Sequence, residues 1–171
     1  MVAVHAEAKL GQSAGMSESR FARVDVARVL ESAGVLSAQE AEAILEIAYL
    51  STVVDGRLSD EEIAAFAQVA ARLKAGSVAD GRKLDELLDG YARHIEHRDI
   101  AERLADLAKG LTREDARKTA YKVAFAMALC DLGTSDDETD FDDALVTLLG
   151  LSIEDVDTLE SEVYAALDAV Q

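Results

Sequence analysis

Ser37 with Glu40, Ser59 with Glu62, Thr112 with Asp115, Ser135 with Glu138 and Ser152 with Asp155 are hydroxyl and acid residues three apart, each pair opening an apolar-periodic run. In such a pair the hydroxyl accepts from a backbone N–H left free at a helix start, and the acid reaches back to the cap's own N–H. The Glu pairs form full capping boxes; the Asp pairs are shorter, weaker versions. A chain punctuated this way divides into helices. Proline and tryptophan are absent and aromatics make up 5% of residues, so strand formers are scarce. Caps and periodicity predict helices over residues 21–33, 38–54, 60–74, 79–97, 99–109, 113–131, 136–149 and 153–169. The expected fold is all-α, a compact bundle of about seven to eight helices with an internally repeated helix-loop-helix unit.

Half of the 171 residues are hydrophobic, enough for one core of useful size. Residues 1–20 lack a sustained period and are expected to form a mobile leader, with one domain over 21–171. Between Lys74 and Gly110 the apolar positions Leu84, Leu87, Leu88, Tyr91 and Ile95 keep helical spacing, so this stretch is packing structure and not linker. Seventeen basic against thirty-four acidic residues give a formal charge of -17, which repels phosphate backbones and anionic lipid. Nucleic acid is therefore not an expected partner. No Lys or Arg follows Lys122, whereas thirteen acids do. That acidic last third reads either as a solvated surface or as a face for cations or a basic partner. A single cysteine, Cys130, and the absence of a signal-type apolar segment point to the cytoplasm. Charges interrupt every apolar run well short of the roughly 20 residues a membrane span needs.

The chain also repeats itself. Ile47 to Glu62 lines up with Val123 to Glu138. Each copy has an apolar helix with a central aromatic (Tyr49, Phe125), then an Asp at its end, a Gly-containing turn, a Ser cap, and a Glu seven residues beyond the Asp. An acid at a helix C-terminus faces the negative end of the macrodipole, at a cost of roughly 0.3 to 1 kcal/mol unless compensated. Asp55 and Asp131 either accept from free N–H groups of the next helix, with Glu62 and Glu138 completing capping boxes, or the paired carboxylates hold a hard divalent cation. Ca²⁺ and Mg²⁺ suit such oxygen ligands better than Zn²⁺. The first copy mimics the second half of an EF-hand, but Ser51 and Val53, and Met127 and Leu129 in the second copy, stand where its first ligands belong.

An apolar helix ending in Asp55-Gly56, followed by Leu58-Ser59, Glu62 and a second hydrophobic helix, resembles the signature of the tellurite-resistance TerB-like family. The likeness is best over Ala48 to Ala71 and extends through the second copy, from about Ser37 to Leu167. It implies a small all-α bundle, a non-enzymatic role in resistance to tellurite or other chemical stress, and divalent metal on acidic residues. Carried over by position, those residues are Asp55 and Glu62, and Asp131 and Glu138. It also implies a protein partner, such as a TerC-like integral-membrane protein, and hence a place at the periphery of the inner membrane. Leu132 stands where the family's Gly is expected, with Gly133 one place later.

Other chemistry lacks support. His94 and His97 lie three apart, a chelating spacing, but two ligands make no site and the surrounding Arg93, Glu96 and Arg98 indicate an exposed polar face. Cys130 sits on an apolar helix beside an acid, which raises a thiol pKa. Tyr49 and Phe125 read as core rings. No phosphate-binding glycine loop or GxSxG occurs, so no enzyme activity is expected.

Overall fold

In a computed structural model the described residues are 26–56, 58–74, 81–130 and 136–168. Among them are eight helices and no strand: α1 (Val26–Glu31), α2 (Ala38–Val53), α3 (Asp60–Leu73), α4 (Gly81–Ile95), α5 (Ile100–Gly110), α6 (Glu114–Ala128), α7 (Asp136–Leu149) and α8 (Ile153–Asp168). The all-α expectation holds; the expected leader over 1–20 lies outside the described residues.

Three of the expected caps form. Ser37 and Glu40 make a reciprocal capping box at α2, and Ser59 and Glu62 make another at α3. At α8 the Asp155 carboxylate accepts from Ser152 N at 3.1 Å while Ser152 Oγ accepts from Asp155 N at 3.1 Å. Thr112 is not a cap. The N-cap of α6 is Arg113, with no side-chain bond to the helix. Here the acid has other partners: Asp115 Oδ1 accepts from Ala116 N, and Asp115 Oδ2 pairs with Arg113, whose Nε also reaches Glu40 Oε1 at 3.1 Å. The pull of two carboxylates on Arg113 sets the helix start one residue later than the Thr112 pairing implied. Ser135, the remaining cap, lies outside the described residues.

α2 is the centre of the molecule, buried almost continuously from Glu40 to Thr52. Hydroxyls in so dry a place need acceptors, and Ser51 and Thr52 donate back to the carbonyls of Ala48 and Tyr49, both at 2.7 Å. Its most extensive neighbour is α6, whose Ala116, Ala120 and Ala124 recur every fourth residue and are all buried. α2 and α6 run parallel. Arg113 joins Glu40 at their starts, and near their ends Ser51, Ala124 and Ala128 line one small cavity.

α3 turns back along α2, bringing Lys74 Nζ to 2.6 Å from Glu42 Oε2. α7 turns back along α6 in the same way, so that Arg117 Nη1 donates to Leu149 O at 3.3 Å. α8 then climbs beside α6 through Lys118 with Asp155, Tyr121 with Glu160, and Lys122 with Glu162. Lys122, itself buried, also donates to Ser32 of the α1 end. The sequence repeat is thus two helical hairpins, α2 with α3 and α6 with α7, whose first helices end side by side. Among the described residues no helix is long and apolar enough to cross a membrane.

Candidate functional site

The first acidic turn is shaped by its glycine. Gly56 has φ of +84°, the left-handed region that only glycine enters at little cost, and its N–H closes the helix onto Val53 O at 2.9 Å. Asp55, just before it, is exposed. Glu62 is the opposite: only 4% exposed, it accepts from Ser59 N at 2.7 Å through Oε2 while its own N–H is taken by Ser59 Oγ. One carboxylate faces water; the other secures the start of α3.

Of the second turn, Asp131 and the Leu132–Gly133 variation lie outside the described residues. Glu138 is half-buried in the first turn of α7. With Ser51, Ala128 and Asp142 it lines a cavity of about 20 Å³, room for about one water molecule. Burial, then the nearby Glu160 and Asp143, push the Asp142 carboxyl upward, against the opposing hydrogen bond from Tyr121.

Glu62 of the first repeat acts on the end of the second repeat's first helix. Cys130, at the end of the second repeat's first helix, is buried, and its Sγ donates to Ala126 O at 3.4 Å. Burial first, and then the charge of Glu62 from the other repeat, push its thiol up to about 12. The sequence expectation of a raised thiol pKa therefore holds, with the acid supplied across the bundle by Glu62. Among the described residues no three His, Cys, Asp or Glu side chains gather closely enough to hold an ion. Asp55, Glu62 and Glu138 share an end of the molecule without forming such a group by themselves.

The sequence reading missed a second polar cluster, on the flank of α2. Glu46, 2% exposed, is gripped by Arg103 of α5, with Nε 2.7 Å from Oε1 and Nη2 2.8 Å from Oε2. His94 Nδ1 of α4 lies 2.8 Å from the same Oε1. One turn earlier Glu42 Oε1 accepts from the Tyr91 hydroxyl at 2.8 Å and Oε2 meets Lys74. Burial pushes the Glu42 carboxyl up, but the donors Lys74 and Tyr91 outweigh it and the carboxyl sits below its usual range. His94 is accordingly a partner of a buried acid and not simply part of an exposed face, although its side chain is 47% exposed. Above this cluster Tyr49, Phe66 and Tyr91 pack ring on ring, with centroids 5.6 to 6.4 Å apart. Phe125 lies between Tyr121 and Tyr164 in the other half. The expected core role holds for Tyr49, whereas Phe125 is only partly buried and packs against the core from its edge.

The acids of this cluster are saturated by fixed donors, so its chemistry is that of a clamp holding α4 and α5 onto α2. A signal for it was present: Glu46 is the only charged residue between Ile44 and Leu50, and an acid inside such a run needs a buried cation. Comparison of the chain with protein-family models, with curated proteins and with solved structures gave no match.

Proposed function

We propose that the chain is a non-enzymatic accessory protein of the TerB-like, stress-response kind, whose two acidic turns respond together to a divalent cation. The observation that supports this reading is the parallel course of α2 and α6, which brings their ends together, with Ser51, Ala128 and Glu138 around one small cavity. Carboxylates that converge repel one another, and a hard cation bridging them relieves the repulsion. Asp55, Asp131 and Glu138 are the ligands of choice in this scheme, with Glu62 positioned by its cap. Ca²⁺ or Mg²⁺ fits such oxygen donors better than Zn²⁺. The cation-bound form would then present the bundle to a protein partner, in the family's terms a TerC-like membrane protein, from the cytoplasmic side. Ligand present at ten times its Kd stabilises the folded state by about 1.4 kcal/mol, roughly 3 to 6 °C in melting temperature for a domain of this size. A melting temperature indifferent to millimolar Ca²⁺, Mg²⁺, Mn²⁺ and Zn²⁺ would remove the metal role.

A second reading, an acidic adaptor without metal, is favoured by the charge of α7 and α8. Asp136, Asp137, Asp140, Asp143, Glu154 and Asp157 are all exposed there, and no Lys, Arg or His lies beyond Lys122. Of the cations beside these helices, Arg117 donates to Leu149 O, and Lys118 and Lys122 are engaged by Asp155 and Glu162. In that case Asp55→Asn with Asp131→Asn costs stability and leaves partner binding intact.

A further inference from the structure

Tyr121 of α6 is fully buried, yet its hydroxyl stands between two carboxylates. It donates to Glu160 Oε1 of α8 at 2.9 Å, and Asp142 of α7 also shares a hydrogen bond with it. A phenol has one proton to give. With that proton on Glu160, a bond between Tyr121 and Asp142 needs a proton from the Asp142 carboxyl. Asp142 also lines the cavity of about 20 Å³ beside α6, where Phe125, Phe141 and Leu145 leave an ionised carboxylate little water.

The charges that act on Asp142 are those of Glu160 and Asp143, both acids, and Glu138 one turn earlier adds a third on the cavity wall. On α6, Lys118 is held by Glu114 and Asp155, and Lys122 by Glu162. α5, which packs against α7, has Arg103 on Glu46, and Arg98 and Lys109 on Asp106. α2 brings to the cavity the Ser51 hydroxyl, which donates to Ala48 O. α1, packed against α8, has Arg28 and Glu31 out in water. Two carboxylates around one hydroxyl without a cation do not both ionise cheaply, so the pair retains a proton to higher pH than isolated acids do.

We propose that Asp142, Tyr121 and Glu160 form a proton-operated latch: with a proton on Asp142, a continuous chain of hydrogen bonds ties α7 and α8 to α6, and without it α7 is loosened. In the closed state the Asp142 carboxyl donates to the Tyr121 oxygen and the Tyr121 hydroxyl donates to Glu160. Loss of the Asp142 proton to solvent leaves two carboxylates and a single hydroxyl proton, and the carboxylate without it is repelled. α8 stays in place through Lys118 with Asp155 and Lys122 with Glu162. α7 has no such ion pair to α6 among the described residues; Arg117 reaches only its last carbonyl, on Leu149. The helix that yields is therefore α7.

The test is a carboxyl carbon NMR titration of the full chain from pH ~4 to ~8, with amide hydrogen exchange recorded at the same pH values. The latch needs no metal, so EDTA is present throughout, and failure here leaves the cation reading of the acidic turns untouched. Asp142 should titrate above the ordinary value of ~3.9, and Glu160→Gln, which removes one charge and frees the Tyr121 hydroxyl, should weaken its hold on the proton about tenfold. Protection of the α7 amides from Phe141 to Leu149, corrected for intrinsic exchange, should fall about tenfold as Asp142 titrates. In Asp142→Asn, whose amide donates as the protonated acid does, it should not change with pH. Asp142 titrating in the ordinary range would overturn the latch, and so would a high titration indifferent to Glu160→Gln, which is what burial alone produces. α7 protection that ignores the Asp142 titration would overturn it equally, and that comparison of wild type with Asp142→Asn decides the matter even where Glu160→Gln does not fold.

Discussion

Arg103 holds Glu46 as a fork holds a plate, Nε on one carboxylate oxygen at 2.7 Å and Nη2 on the other at 2.8 Å, across 57 residues of sequence. The hydrogen bonds it donates to Glu46 hold the guanidinium even more firmly protonated. Replacing Arg103 by Met leaves a nearly inaccessible carboxylate with only His94 beside it. We expect a loss of about 2 to 3 kcal/mol in urea unfolding, below the roughly 3 to 5 kcal/mol of a fully buried broken pair because the Arg103 side chain is 22% exposed. Adding Glu46→Leu to Arg103→Met should recover most of that loss. A single variant as stable as wild type would show that the pair is screened by water and holds nothing.

Three phenols resist ionisation. Burial, reinforced by neighbouring acids, raises the pKa of Tyr49, Tyr91 and Tyr121, with Glu42 bonded to Tyr91 and Glu160 to Tyr121. A folded pKa raised above the unfolded value near 10 contributes stability that is complete below pH ~10 and is lost as pH climbs beyond it. In an alkaline titration, tyrosinate absorbance from these residues should rise together with loss of helical circular dichroism. Their ionisation in a chain that is still fully helical would contradict the burial described.

Asp142 and Asp155 should pull the acid side of the stability profile in opposite directions. Burial raises the Asp142 carboxyl, so its contribution is present below the unfolded value near 3.9 and lost as pH rises through the folded pKa. Asp142→Asn should therefore stabilise the protein at pH 7, and the gain should fade below pH ~4. Asp155 is held down at about 2 by the Ser152 backbone bond and by Lys118. Its contribution is present above pH ~3.9 and is lost as pH falls toward that value of about 2, so Asp155→Asn should destabilise at pH 7 and have little effect at the acid extreme. Denaturant melts of both variants across this range check the signs.

What was legible in the sequence is what is decided locally. The boxes at Ser37 and Ser59 need only two side chains three residues apart, and both form as read. Thr112 failed as a cap because Arg113 is drawn to Glu40, 73 positions earlier, which no window around residue 112 contains. The same holds for Glu46 with His94 and Arg103, whose partners lie 48 and 57 residues away. The repeat was visible in the aligned segments, but the side-by-side course of α2 and α6 was not. That depends on α4 and α5, two helices that carry the chain out and back so that α6 starts beside the start of α2. Of the four proposed ligands, Asp55, Glu62 and Glu138 lie among the described residues, and Glu62 has the capping role that the sequence also allowed.

Calorimetric titration of Ca²⁺, with Mg²⁺ and Zn²⁺ in parallel, into the metal-stripped chain tests the central claim most directly. The account predicts a saturable heat with Ca²⁺ or Mg²⁺ that disappears in an Asp55→Asn, Asp131→Asn double variant whose circular dichroism remains helical. No saturable heat with any of the three cations, or the same heat in the folded double variant, would contradict it.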